Sequence, residues 1–153
     1  MGLDYKSYEV LVSQSFPLDP RPQSIVKRSG DCHGIDAMDL MRDFPVGTPW
    51  NQVPTEALDL NCYSLSFFSD EGFSYYLPSF LLRSLLNNEV YQFTVFSLAP
   101  EAPLEQRHKS RLSRLSALQA KCVMMLLDDS ENEKGYRHSL DVKYFWNDLS
   151  GIL

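Results

Sequence analysis

The stretch from Leu65 to Leu82 restricts the fold more than any other part of this 153-residue chain. Ser69 is a good helix N-cap, and the two acidic residues after it stand where a helix dipole favours them. Pro78 falls inside the helical pattern, which predicts a kink or two helices that meet near Leu77. One buried helix face is predicted by apolar residues at intervals of three and four, namely Phe73, Tyr76, Leu77, Phe80 and Leu81. We therefore expect a Pro-kinked pair of aromatic helices.

The same stretch carries a sequence motif. It reads Leu-Ser-Phe from residue 65, then Ser69, then Glu71-Gly72-Phe73, Tyr75-Tyr76 and Leu77-Pro78. This block resembles a family of uncharacterised bacterial proteins of similar length, a domain of unknown function. The resemblance implies a compact, mostly helical fold, and it implies no activity, cofactor or catalytic residue.

Most other segments also have a helical period, and proline clusters separate them. Ser116 and Gln119 form a predicted capping box, and Ser139 is suited to cap the last helix. Segment 90–98 is ambiguous, because its aromatic and β-branched residues favour a strand although several share a helical face; we favour a helix. Segment 24–28 is the other candidate strand. Further helices are predicted over 5–16, 35–44 and 54–58, and the helix that follows Ser69 should end near Leu86, at Asn87 and Asn88.

These patterns predict a mainly α fold. We expect a single compact helical domain over residues 1–153 with at most one short strand or hairpin, and the alternative is an α+β fold. The chain is 44% hydrophobic and 12% aromatic, which excludes a disordered protein. The segments 17–34 and 99–112 should be less ordered or richer in loops, because they contain prolines.

The helical period also predicts which side chains each helix buries. For the helix at 35–44 it favours burial of the apolar residues, with Asp36, Asp39 and Asp43 on another face. The predicted buried residues of this helix and of the last two are Ile35, Met38 and Met41; Leu118, Cys122, Met125 and Leu126; and Leu140, Tyr144, Phe145 and Leu149.

The charge is negative and unevenly distributed. The chain has a net charge of -6, which disfavours binding to nucleic acid or to anionic membranes. Between Asp31 and Glu71 there are eight acidic residues against one basic residue, Arg42. Between Glu101 and Lys121 five basic residues stand against two acidic ones, and a solvated loop is the favoured interpretation of that cluster. We expect neither a nucleic-acid partner nor a membrane.

The three cysteines favour a reducing compartment. Their number is odd and they are far apart in the sequence, so a disulfide framework is not expected. The N-terminal residues lack the apolar run of a signal peptide, and no apolar run approaches the length that spans a bilayer. The sequence therefore predicts a cytoplasmic protein.

The segment from Asp31 to Asp36 collects groups that can bind metals or take part in catalysis. It contains Cys32 and His33 between the two acids. A zinc site needs three or four ligands with a defined pair spacing, and no second pair stands at a matching distance. We therefore predict no metal and no cofactor.

Two functions fit these observations. The first is a non-enzymatic protein whose acidic region, Asp31–Glu71, binds a basic protein partner, since complementary charge steers such encounters. The alternative is a small hydrolase or metal-assisted enzyme built on Asp31, His33 and Asp36. The residues near Pro78 are compatible with two interpretations, a ligand pocket and a packed structural corner. No catalytic residue is predicted, the oligomeric state stays open, and the candidate binding residues are Asp36, Asp39, Asp43, Glu71, Tyr75 and Tyr76.

Overall fold

A computed structural model describes residues 2–26, 34–100 and 104–151, with side chains in the second helix described from Met38 onward. Over these ranges the chain forms eight α-helices and two short 3-10 turns, which confirms the mainly α prediction. The turns are Trp50–Gln52 and Ser64–Phe67. The helices are α1 (Tyr5–Ser15), α2 (Gly34–Asp43), α3 (Thr55–Leu60), α4 (Asp70–Ser84), α5 (Asn88–Leu98), α6 (Gln106–Leu112), α7 (Ala117–Asn132) and α8 (Leu140–Ser150). None of these helices is long and apolar enough to cross a membrane.

The described residues group into two compact units. Unit 1 contains those up to Phe16 and those from Val95 onward, and unit 2 contains those from Pro17 to Thr94. In unit 1, α7 packs against both α1 and α8. The Tyr8 hydroxyl donates a 2.6 Å hydrogen bond to the Cys122 carbonyl, and the Trp146 indole N–H donates one of 3.0 Å to the Leu98 carbonyl. Because the hydroxyl and the indole N–H both have acceptors, these large aromatic side chains are buried without an unsatisfied hydrogen-bond donor.

The core of unit 2 is a cluster of four aromatic rings around α4. Phe44 lies 5.2 Å from Phe68, 5.2 Å from Tyr76 and 6.0 Å from Phe80, measured between ring centroids. All four side chains are fully buried. The helix that carries two of them is continuous from Asp70 to Ser84 with Pro78 inside it, so, of the two predicted alternatives, that of two helices that meet near Leu77 is wrong. The period of Phe73 to Leu81 is confirmed, since every predicted residue of that face is buried.

Several predicted boundaries hold and others do not. Both capping residues, Ser116 and Ser139, accept the predicted backbone hydrogen bonds, and segment 90–98 is helical. Asn87 does not stop a helix at Leu86: its side-chain oxygen accepts the N–H groups of the first turn of α5, so it begins the next helix. Segment 99–112, predicted to be rich in loops, contains α6. Residues 27–28 lie outside the described ranges, and before them the candidate strand makes a single bridge, between Val26 and Phe68.

The predicted buried faces are partly wrong in three helices. In α2, Met38 and Met41 are exposed, whereas Leu40 and the residue that follows the helix, Phe44, are buried. Each of these helices has more apolar residues than one stripe can hold, so spacing alone is compatible with two orientations and the neighbouring elements decide between them. In α7 and α8 the exposed residues are Leu118, Met125, Leu140 and Tyr144, and the buried ones include Cys122, Val123, Leu126, Val142 and Trp146.

Candidate functional site

The first turn of α4 holds the backbone of residues 23–26. The Ser69 hydroxyl accepts the Gly72 N–H at 3.0 Å as an N-cap, and it donates to the Ser24 carbonyl at 2.8 Å. The Ser69 N–H donates to the Ile25 carbonyl at 2.9 Å. Glu71 accepts the Gln23 N–H at 3.2 Å. The serine and the glutamate of the motif therefore position a loop segment that has almost no secondary structure of its own.

Gly72 permits this close approach. A Cβ atom at this position would lie 2.8 Å from the carbonyl oxygen of Ile25 and 3.0 Å from its Cα. Both of these atoms belong to the backbone, so neither can turn aside as a flexible side chain would. The glycine of the motif is thus explained by packing between α4 and residue 25 rather than by a ligand.

The next two turns of α4 hold two more loop segments. The Tyr75 hydroxyl donates to the Leu18 carbonyl at 2.8 Å and accepts the Trp50 N–H at 3.3 Å. The Tyr76 hydroxyl donates to the Thr48 carbonyl at 2.7 Å. The Ser79 hydroxyl donates to the Trp50 carbonyl at 2.6 Å. We call Ser69, Gly72, Tyr75, Tyr76 and Ser79 the clamp, because the four hydroxyl groups bind loop backbone and the glycine lets that backbone approach α4.

The chemistry of the clamp favours a structural corner over a ligand pocket. Each of its hydroxyl protons is committed to a backbone carbonyl, and both tyrosine side chains are buried. Burial raises the pKa of Tyr76 to about 12, and the neighbouring Tyr75 contributes to the shift. A phenol that is neutral at physiological pH and already bonded is poorly placed for proton transfer.

Two of the acidic candidates on α2, Asp39 and Asp43, form ion pairs with the same arginine. Arg42 contacts Asp43 through Nε at 2.9 Å and Asp39 through Nη1 at 3.3 Å. Asp43 also accepts a 2.9 Å hydrogen bond from the Asn61 amide. The Arg42 hydrogen bond holds the pKa of Asp43 below its ordinary value. Asp59 is bound in the same manner, by both Nε and Nη2 of Arg83 at 2.8 Å.

Other candidates fall outside the described part of the chain. Asp31, Cys32 and His33 lie there, and so does the side chain of Asp36. Among the residues that the structure describes, no group of three or more histidine, cysteine, aspartate or glutamate residues could hold a metal ion. The hydrolase alternative built on Asp31, His33 and Asp36 therefore stays a prediction.

Sequence reasoning missed a group of polar residues in unit 1. His138 is isolated in the sequence from other histidines, yet its Nε2 lies 2.7 Å from the Ser130 hydroxyl oxygen. Lys143 pairs with Glu131 at 2.8 Å beside it. The available signal was the turn at Gly135 between two helical periods, which brings the end of α7 next to the start of α8.

Comparison with known proteins gives one match. A family model described as a family of unknown function (DUF6714) matches residues 32–150. No curated protein and no solved structure matches the chain.

Proposed function

The chain belongs to this family of unknown function (DUF6714), and we propose that it is a non-enzymatic protein that binds a basic protein partner through the exposed face of α2. Met38 and Met41 are 67% and 49% exposed on that helix. They lie three residues apart, so they are neighbours on the helix surface. Exposed methionines are typical of protein-binding surfaces, because a flexible thioether adapts to the shape of a partner. This exposed pair is the observation that carries the proposal.

The charge of unit 2 supports a basic partner. Between Pro17 and Thr94 there are ten acidic and five basic residues, so this part of the chain carries -5 of the total charge of -6. Ion pairs with Arg42 and Arg83 reduce the field close to Asp39, Asp43 and Asp59, but they leave the net charge unchanged. We therefore assign affinity mainly to the methionines, and orientation and rate of encounter to the acidic field.

The proposed setting is the cytoplasm of a bacterium. The motif resembles a family of bacterial proteins, which supports a bacterial source. Cys62 and Cys122 support a reducing compartment, because both are buried free thiols in the part of the chain that the structure describes.

The binding surface can be tested with a double variant, Met38→Ser with Met41→Ser. Retention of a partner from a lysate of the native cells should fall on the order of tenfold, since loss of a hot spot costs about 1.4 kcal/mol or more. Retention by the unchanged protein should also weaken between about 0.01 M and about 0.15 M salt, as screening shortens the range of the acidic field. Quantitative pull-down at both salt concentrations measures these effects.

Met125→Ser is the matched control, because Met125 is an exposed methionine of α7 in unit 1. It should leave retention unchanged. A partner that the double variant retains as well as the unchanged protein does, or the recovery of no salt-sensitive partner, contradicts the proposal.

A further inference from the structure

A groove of about 220 Å³ lies in unit 1 between α7 and α8. Its apolar lining consists of Met124, Leu127, Val142 and Trp146, of which Met124 is the most exposed. Polar side chains from both helices and from the connecting loop complete its lining. The volume is below the roughly 300–1,000 Å³ typical of sites for larger ligands, so the groove suits a small molecule.

His138 lines this groove, and its contacts with α7 define which ring nitrogen carries the proton. The Ser130 hydroxyl donates its one proton to the Leu127 carbonyl at 2.6 Å, so His138 Nε2 is the donor in its own 2.7 Å contact with Ser130. The neutral ring then carries its lone pair on Nδ1. Burial lowers the pKa of His138, which favours this neutral form. The charged groups that act on the ring are Glu131 and Asp128 from α7 and Lys143 from α8.

Asp128 provides a second acceptor, and it has no hydrogen-bond or ion-pair partner within residues 2–26, 34–100 and 104–151. Lys143 Nζ lies 2.8 Å from Glu131 Oε2, so these two charges of the groove cancel. Asp128 lines the same groove and makes neither a hydrogen bond nor an ion pair with the residues that the structure describes. Asp128 is exposed as a residue, but partial desolvation of its carboxylate, followed by repulsion from Glu131, raises its pKa against the opposite effects of Lys143 and His138. A carboxylate whose pKa is raised gains from an added neighbouring cation, which favours its charged form.

We propose that this groove binds a small primary amine in its ammonium form, with a short apolar body. The ammonium group donates to the Asp128 carboxylate and to the His138 ring, while the apolar body contacts Met124 and Leu127 of the apolar lining. An anion is disfavoured because the lysine of the groove is already paired with Glu131. This site is independent of the α2 face, which belongs to unit 2.

The probe is n-butylammonium chloride, titrated into isotopically labelled full-length protein and followed by amide NMR. Saturable shifts should be confined to residues near the groove, from the end of α7 to the middle of α8. Neutral n-butanol and sodium butyrate, at equal concentration and ionic strength, should give no saturable shift. Asp128→Asn should weaken n-butylammonium binding at least fivefold, because it removes the charge that pairs with the ligand.

Asp148→Asn is the matched control, since Asp148 is an exposed acid of α8 that does not line the groove. Thermal unfolding checks that both variants are folded. Because Asp128 is exposed, we expect Asp128→Asn to fold like the unchanged protein. The proposal is overturned by the absence of a saturable shift, by shifts centred elsewhere, by equal binding of n-butanol, or by equal losses in the two variants.

Discussion

Phe44→Ala is expected to lower the free energy of unfolding by about 3–5 kcal/mol, the largest effect of any substitution considered for this chain. The Phe44 ring is fully buried and meets three other buried rings, those of Phe68, Tyr76 and Phe80. Truncation removes its transfer free energy and leaves a cavity that three large planar rings fill poorly. Because domains are stable by only about 5–15 kcal/mol, this loss is a large part of the total. Denaturant unfolding measures it.

Phe93→Ala is the control for this prediction. Phe93 is also a phenylalanine of unit 2 with an aromatic neighbour, since its ring centroid lies 6.4 Å from that of Tyr63, but it is 39% exposed. Its truncation should cost clearly less than that of Phe44, because more than a third of its surface is already in water and it leaves no enclosed cavity. Equal losses in the two variants would show that the four rings do not form the core of unit 2.

Gly72→Ala is expected to destabilise the protein by about 1–3 kcal/mol, the cost of overpacking a filled site. Helix propensity and packing predict changes of opposite sign in the free energy of unfolding. Gly72 lies in the first turn of α4, and helix propensity alone predicts that alanine is better than glycine in a helix by about 1 kcal/mol. The packing prediction is opposite, because the new Cβ would lie 2.8 Å from the Ile25 carbonyl oxygen. The free energy of unfolding therefore separates the two interpretations.

Ser74→Ala, two residues further along α4, is the matched substitution. Ser74 is partly exposed and donates to the carbonyl four residues before it, so its replacement should change stability by about 0.5 kcal/mol or less. If Gly72→Ala stabilised the protein as propensity predicts, the close packing of α4 on residue 25 would be refuted.

The helices were predictable from the sequence, and their orientations were not. Caps at Ser69, Ser116 and Ser139 are local signals, since each acts on an N–H three residues away. Which face is buried depends on distant partners. Met38 and Met41 have the spacing of a core stripe, but Leu40 of the same helix and Phe44 directly after it are buried in unit 2 instead.

The candidate site was predictable only in part, for a similar reason. The motif identified Tyr75 and Tyr76, but no local pattern shows that their hydroxyls reach carbonyls 57 and 28 residues away. The acidic residues of α2 were visible in the sequence, whereas their pairing with Arg42 depends on side-chain geometry. The groove at His138 joins two helices across a turn, and the sequence showed only an isolated histidine.

Amide hydrogen exchange at Trp50 tests most directly whether the tyrosines of the motif act as a clamp. The Trp50 N–H has the Tyr75 hydroxyl as its acceptor, so it should exchange slowly in the unchanged protein. Tyr75→Phe should speed this exchange roughly fivefold or more, since a lost hydrogen bond is worth about 1 kcal/mol, and Tyr144→Phe at an exposed position should have no effect. The structural role given to this motif would be contradicted if the Trp50 amide exchanged fast in the unchanged protein, or if Tyr75→Phe left its exchange rate unchanged.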